Sequence, residues 1–527
     1  MWRPLLNCYL SKWLSLVSWL SHFNSLRHFN LQGIREQTKK EVFKMSSDCN
    51  SYVQKSAYCI GESRLSMTND TISFKEHFSI IKQLIRWTVF VIPASVVIGS
   101  IVAFFLWLLS GAIHFRFQHT WLLALLPVAG ILIHLIYQSI GKSSEKGNNL
   151  IIEQINEHNT GIPIEMTPVI LLTTVLTHLF GGSAGREGTA VQIGGSIAAW
   201  FGKKFNLEGI ERQILLTAGV AAGFGAVFGT PLTGAIFAME VLIIGRIQYD
   251  AIIPALIASI IGDLTVSAWQ VHHLHYQIDT LQTSSYFIKD FLHFDMLLLG
   301  KVILAAILFG ITSYLFAGLV HEIKNSCQQL FKLKWQIPAF GGLVIIALTL
   351  ILGRPDYLSL GVDPQYPGAV TISSAFHAGG ADTWSFLWKT LYTTFTLGTG
   401  FKGGEVTPIF YIGATLGNTL ASLMNAPVSL FAALGFIAIF AGATNTPLAS
   451  TIMGIELFGG EHVLLFAIAC FTAYIFSGHS GIYTAQKIAV PKITHDEYYK
   501  EASLTEAVKR RGYLYQKMGR YIAPAKK

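Results

Sequence analysis

Gly181-Gly182-Ser183-Ala184-Gly185-Arg186-Glu187-Gly188-Thr189-Ala190-Val191-Gln192-Ile193-Gly194 sets a lone arginine-glutamate pair between two long apolar runs, Leu171 to Phe180 before it and Ile193 to Phe201 after it. Flanks of that kind place the polar stretch at membrane depth. Unpaired N–H and C=O groups in hydrocarbon cost several kcal/mol, so non-helical backbone survives there only where it is buried in protein or lines a wet cavity. A glycine-rich break that opens onto a new helix at that depth is a candidate ion site.

The composition fits a membrane setting. Of 527 residues, 52% are hydrophobic and 13% charged, and the mean hydropathy is +0.48; a soluble globular chain carries about 25% charged residues. The formal charge of +8 does not point to nucleic acid, because the basic residues gather in the tails and short loops, where the positive-inside rule expects them. Cys8, Cys49, Cys59, Cys327 and Cys470 have neither CxxC nor histidine-paired spacing, so neither a metal site nor a disulfide framework follows. His272, His273 and His275 stand close together without a partner cluster and read as surface histidines. A dinucleotide-binding glycine turn would need a soluble strand-helix-strand unit and an acidic residue about twenty positions on. The apolar flanks exclude the first, and Glu208 and Glu211 are too ordinary to supply the second. The chain reads as neither an enzyme nor a cofactor binder.

Taken in order, residues 1–73 are polar and mixed, with the apolar stretch Trp13 to Leu20 too short to span a bilayer and no small-residue cleavage site after it. They read as a cytoplasmic extension, for which Met45 is an alternative start. Residues 74–265 form a first transmembrane repeat, opening with a basic amphipathic lead-in from Phe74 to Arg86 and a span from Trp87 to Ile113. Residues 266–293 make a polar extracellular linker, and residues 294–490 a second repeat ending in a short helical piece that carries Tyr483. Residues 491–527 are a basic cytoplasmic tail. Several of the spans are under-length, as the broken helices of transporter cores are.

Two motifs recur. Thr230-Pro231-Leu232, Ile236 and Glu240 return as Thr446-Pro447-Leu448, Ile452 and Glu456, 216 positions on in every member, and Glu187 and Thr189 return 218 positions on as Glu405 and Thr407. Nearly equal intervals for independent motifs argue for two pseudo-symmetric halves with the substrate between them. Thr-Pro-Leu itself reads as an ordinary helix start.

A helix N-terminus presents unpaired N–H groups and about half a positive charge, which suits it to anions. Three such starts are legible at breaks, Gly147 to Leu150, Gly185 to Thr189 and Gly400 to Pro408. Where they converge, amides such as those of Gly188, Val406 and Thr407 would hold an unhydrated anion through weak, multiple contacts that also let it leave. Glu187 and Glu405 stand at two of the starts, and an intramembrane carboxylate is expensive enough to suggest a function. Ionised, it takes the anion's place on the same donors; protonated, it vacates them. The plainer role for each is capping its own helix. Arg186 and Lys402 either neutralise the two carboxylates or point to solvent. Tyr483 reads equally as a hydroxyl ligand or as an interfacial aromatic.

Over roughly residues 75–490 the chain resembles the CLC anion channel and transporter family, most specifically in Gly185-Arg186-Glu187-Gly188 running into Val191-Gln192-Ile193-Gly194-Gly195 and in the Phe228-to-Glu240 and Gly400-to-Gly417 stretches. The resemblance implies an all-α polytopic membrane protein, an inverted repeat of two helical halves whose broken helices meet at the midplane. It also implies a homodimer with one anion pathway per subunit, Glu187 as the external gating glutamate and Tyr483 as a central ion ligand. The departures are informative. Thr189 stands where chloride-handling members have proline, Glu405 replaces an apolar residue, and Val241 occupies the place of an inner proton-transfer glutamate. The family's ion-contacting serine motif has an apparent match at Gly161-Ile162-Pro163, which lies too close to Glu187; the usual interval lands on Gly147-Asn148-Asn149-Leu150 and puts Asn148 in the serine's place.

That pattern is similar to the fluoride-exporting branch. The expectation is a proton-coupled fluoride exporter of the inner or plasma membrane with both termini cytoplasmic. Glu187 and Glu405 would handle protons, and Asn148, Arg186, Gly188, Val406, Thr407 and Tyr483 would surround the anion. A chloride/proton exchanger or passive chloride channel of the same fold is the alternative.

Overall fold

Helices form wherever the apolar runs permit, because a chain in lipid must satisfy its backbone internally. The computed structural model describes residues 74–157, 161–271, 273, 276–278, 296–492 and 502–507. The N-terminal extension, His272, His275 and most of the linker and basic tail lie outside the described residues. The chain divides into a unit ending at Ile80, of which only residues 74–80, the start of the first helix, are described, and a unit from Ile81 onward that holds the rest of the helices below and the site.

The first half runs through α1 (Phe74–Gln118), α2 (Leu126–Ser139), α3 (Asn148–Glu157), α4 (Met166–Leu179), α5 (Glu187–Lys204), α6 (Gly209–Phe228), α7 (Pro231–Glu240) and α8 (Ile252–Ala268). The second runs through α9 (Met296–Leu330), α10 (Gln336–Leu352), α11 (Ser385–Gly398), α12 (Val406–Met424), α13 (Val428–Thr444), α14 (Pro447–Phe458) and α15 (Val463–Phe476). The lead-in and first span of the sequence reading are one helix, α1, since nothing glycine-rich separates Arg86 from Trp87. Among the described residues five helical stretches are long and apolar enough to cross a membrane, His77–Gln118, Thr120–Ser139, Gly209–Phe228, Tyr249–Ala268 and Met296–Leu330. Others, including α4, α10, α13 and α14, are apolar but only 10–17 residues long.

The same packing scheme is used twice. In the first half α6 is the centre, against which α5, α7 and α8 pack; in the second α13 takes that place among α12, α14 and α15. Small residues let these helices touch backbone to backbone. A Cβ added to Gly194 would stand 2.1 Å from the Gly219 carbonyl, and one added to Gly413 would stand 2.2 Å from the Gly435 carbonyl, so neither pair of helices tolerates a larger residue there.

Among the described residues the halves are joined at several places. Gly185 and Gly404 exchange backbone hydrogen bonds of 2.6 and 2.8 Å as an antiparallel bridge between the two breaks. The two Thr-Pro-Leu helix starts are capped reciprocally: Glu240, ending α7, accepts from the N–H groups of Leu448 and Ala449 at 3.0 and 2.7 Å. Glu456 of α14 accepts in turn from those of Leu232 and Thr233 at 2.9 and 2.8 Å. Finally, β1 (Ile243–Ile244) pairs in parallel with β2 (Lys487–Ile488).

Tyr483 is not on a helix, contrary to the sequence reading. Its neighbours' N–H groups are taken elsewhere, Ile482 donating to the Ala443 carbonyl at 2.9 Å and Ala485 to Asn149 Oδ1 at 3.0 Å. The chain there is a turn leading into β2.

Candidate ion site

Three breaks meet where the sequence places chemistry. Glu187 is the first residue of α5 and is buried, 1% exposed. Its carboxylate does not merely cap its own helix. One oxygen accepts from the Arg186 N–H at 3.0 Å and from the Thr407 N–H at 3.1 Å, and the other accepts from the Thr407 hydroxyl. Thr407 belongs to the first turn of α12 in the other half, so a carboxylate from one repeat sits on the helix-start donors of the second. The Arg186 guanidinium stands 3.8 Å from Glu187, close enough for charge attraction and too far for a hydrogen bond. Val406, the first residue of α12, is buried.

Gly188, next along α5, explains why no side chain is admitted. A Cβ there would lie 2.9 Å from Asn148 Nδ2, 3.1 Å from the Gly404 Cα and 3.8 Å from Glu405 Oε2. The three helix starts, at α3, α5 and α12, therefore converge on this glycine. Asn148 opens α3 and Glu405 immediately precedes α12. Among the described residues Glu405 Oε2 and Asn148 Oδ1 are buried without a hydrogen-bond partner.

Both face a cavity of about 160 Å³, which Tyr483, Gln192 and Lys402 also line. Tyr483 is 3% exposed and meets Phe237 edge to face. The Lys402 ammonium lies 4.1 Å from the centre of the Tyr137 ring. The Glu187 carboxylate and Arg186 are not part of this cavity's lining.

Two contributors escaped the sequence reading. Gln192, whose Oε1 is also buried without a partner among the described residues, lies one turn after Gly188, and that i, i+4 relation to a glycine at the site was a usable signal. Asn149 holds the Tyr483 turn by accepting from Ala485; a contact across more than three hundred positions left no local trace.

Two helical repeats with interrupted helices, one lending helix-start donors to the other's buried carboxylate beside a polar cavity, are the design of a membrane ion-transport protein. The chain belongs to the Voltage gated chloride channel family, which matches residues 129–478. It is 43% identical over 418 residues, 79% of this chain and 90% of the relative, to a protein of Pseudomonas syringae pv. tomato called "Chloride/fluoride channel protein". Among solved structures it is similar to a CLC-type fluoride/proton antiporter, with 33% identity, a TM-score of 0.70, and coverage of 77% of this chain and 98% of that one. The fold is shared with a slow cyanobacterial Cl-/H+ antiporter at 20% identity and a TM-score of 0.62, covering 76% and 96%.

Proposed function

We propose that this protein is a proton-coupled fluoride exporter of the cell membrane, working as a homodimer with both termini in the cytoplasm. The observation that carries the reading is the Glu187 carboxylate on the N–H and hydroxyl of Thr407, donors that would suit a halide equally well. Ionised, Glu187 fills that seat. Protonated, it is a poorer partner for the same donors, and an anion replaces it. Proton and anion thus alternate at one place, the minimum needed for exchange.

Fluoride is the ion we infer, for two reasons. It is small, strongly hydrated and a strong hydrogen-bond acceptor, so Asn148 Nδ2, the helix-start amides and Tyr483 supply the donor-rich surroundings that replace its water. The relatives point the same way: one is named for chloride and fluoride, another for fluoride/proton antiport. Glu405 supplies a second carboxylate for proton handling, and Lys402 sets its local charge.

The test uses purified protein in liposomes, with fluoride and pH electrodes reading both ions. Wild type moves protons against fluoride, while Glu187→Ala carries fluoride without a fixed proton ratio; an unaltered ratio in that variant removes the gating assignment. Equal chloride and fluoride efflux from matched vesicles would favour the alternative, a chloride/proton exchanger or chloride channel.

A further inference from the structure

Proton exchange through Glu405 needs a route from bulk water, because its Oε2 atom is buried. The cavity that Glu405 faces also receives His321. Ala317, Val320, His321 and Lys324 all line it from one face of α9, at the i, i+3, i+4 and i+7 spacing of a single helical stripe.

We propose that His321 is the proton donor and acceptor between bulk water and Glu405; the inference rests on the exchange reading above. Three observations support it. The Glu405 Oε2 atom is buried with no hydrogen-bond partner among the described residues, so it is available to a proton carried through the cavity. The volume of about 160 Å³ holds about five waters at about 30 Å³ each, enough for a chain between the two side chains. The exposed residues Glu145, Lys146 and Lys324 line the same cavity, so it reaches the surface.

The imidazole is oriented by its Nε2, which lies 3.4 Å from the Gly481 carbonyl. With Nε2–H donating there, Nδ1 accepts a proton from water on the surface side. The imidazolium then returns one proton to a cavity water, which passes one of its own to the Glu405 carboxylate. No bond other than O–H and N–H is made or broken, and the charge moves with the proton. Histidine suits the task because its ordinary pKa lies near neutrality. The other titratable groups facing the cavity are Tyr137, Glu145, Lys146, Lys324, Lys402 and Tyr483.

The experiment compares wild type, His321→Ala and His321→Gln in fluoride-loaded liposomes with both electrodes, in buffers with and without free imidazole. Loss of a positioned proton carrier is expected to slow coupled turnover about 100-fold, with fluoride binding by the detergent-solubilised variants unchanged in calorimetry. Added imidazole restores turnover in the alanine variant, where it fits the space, more than in the glutamine variant. Turnover equal to wild type, or a slow variant that imidazole does not accelerate, overturns the relay. Absence of proton movement in the wild type would instead overturn the exchange reading itself.

Discussion

Gly188→Ala opposes a general gain to a local clash, and the structure decides which one prevails. Inside a helix, replacing glycine by alanine is worth about 1 kcal/mol. Here the new methyl would stand 2.9 Å from Asn148 Nδ2 and 3.1 Å from the Gly404 Cα, against ordinary contacts of about 3.5–4.0 Å. Gly404 cannot retreat, because it is pinned to Gly185 in both directions by bonds of 2.8 and 2.6 Å. Asn148 must therefore move by about half an ångström or more to regain normal contact, and overpacking of this kind costs about 1–3 kcal/mol. The propensity gain offsets part of that, so the variant folds, melting close to wild type or a few degrees below it. Transport is affected far more, since the displaced group is the proposed ion ligand and the methyl occupies the convergence of three helix starts. A shift approaching 1 Å at a reacting site costs about 100-fold in rate, and fluoride efflux should fall by that order. Efflux at the wild-type rate in a well-folded Gly188→Ala protein would refute the placement of the ion here.

The reciprocal caps make a prediction about stability. Glu240→Gln turns one acceptor into a donor that faces an N–H of α14 and should destabilise the detergent-solubilised protein by about 2–4 kcal/mol, whereas Glu456→Gln, at a more exposed cap, should cost about half that; thermal melting followed by tryptophan fluorescence measures both, and equal, negligible effects would contradict the caps. Lys389 is fully buried and donates to the carbonyls of Tyr357 and Ser359 at 3.1 and 2.8 Å. Lys389→Met leaves those carbonyls without a donor and should lower the melting temperature by the equivalent of about 1–3 kcal/mol, reduced to the extent that a buried charge is also removed. The Arg354–Asp382 pair is about half exposed on both sides, so Arg354→Ala should change stability by less than about 1 kcal/mol in the same assay.

What the sequence disclosed was whatever leaves a local mark. Apolar runs located the helices, and the break from Gly181 to Glu187 stood out because glycine and charge are costly between such runs. The duplicated Thr-Pro-Leu and glutamate spacings revealed two halves. Less accessible was everything determined by distant partners. No local pattern says that Glu240 and Glu456 cap each other's helix, or that Asn149 holds a turn more than three hundred residues away. The Tyr483 segment was read as helical because nothing near it forbids a helix; its amide groups are claimed by Ala443 and Asn149 Oδ1, neither of which is adjacent in sequence.

The departure from symmetry at the site is itself informative. Glu187 and Glu405 occupy equivalent positions in the two repeats, as do Thr189 and Thr407. A strict two-fold would give each glutamate the other repeat's threonine, as it gives Glu240 and Glu456 each other's helix starts. Glu187 does take Thr407. Thr189 is engaged elsewhere, its hydroxyl 2.7 Å from that of Thr174, and Glu405 Oε2 has no partner among the described residues. One member of the pair is therefore saturated by fixed donors and the other faces a cavity. A fully satisfied pair would lock both halves together, as the two caps do; an unsatisfied pair would leave two buried charges unpaid. With one of each, the proposed exchanger would hold a carboxylate that competes for the anion's donors and another that takes up a proton, and it is this difference, rather than either glutamate alone, on which the proposed coupling rests.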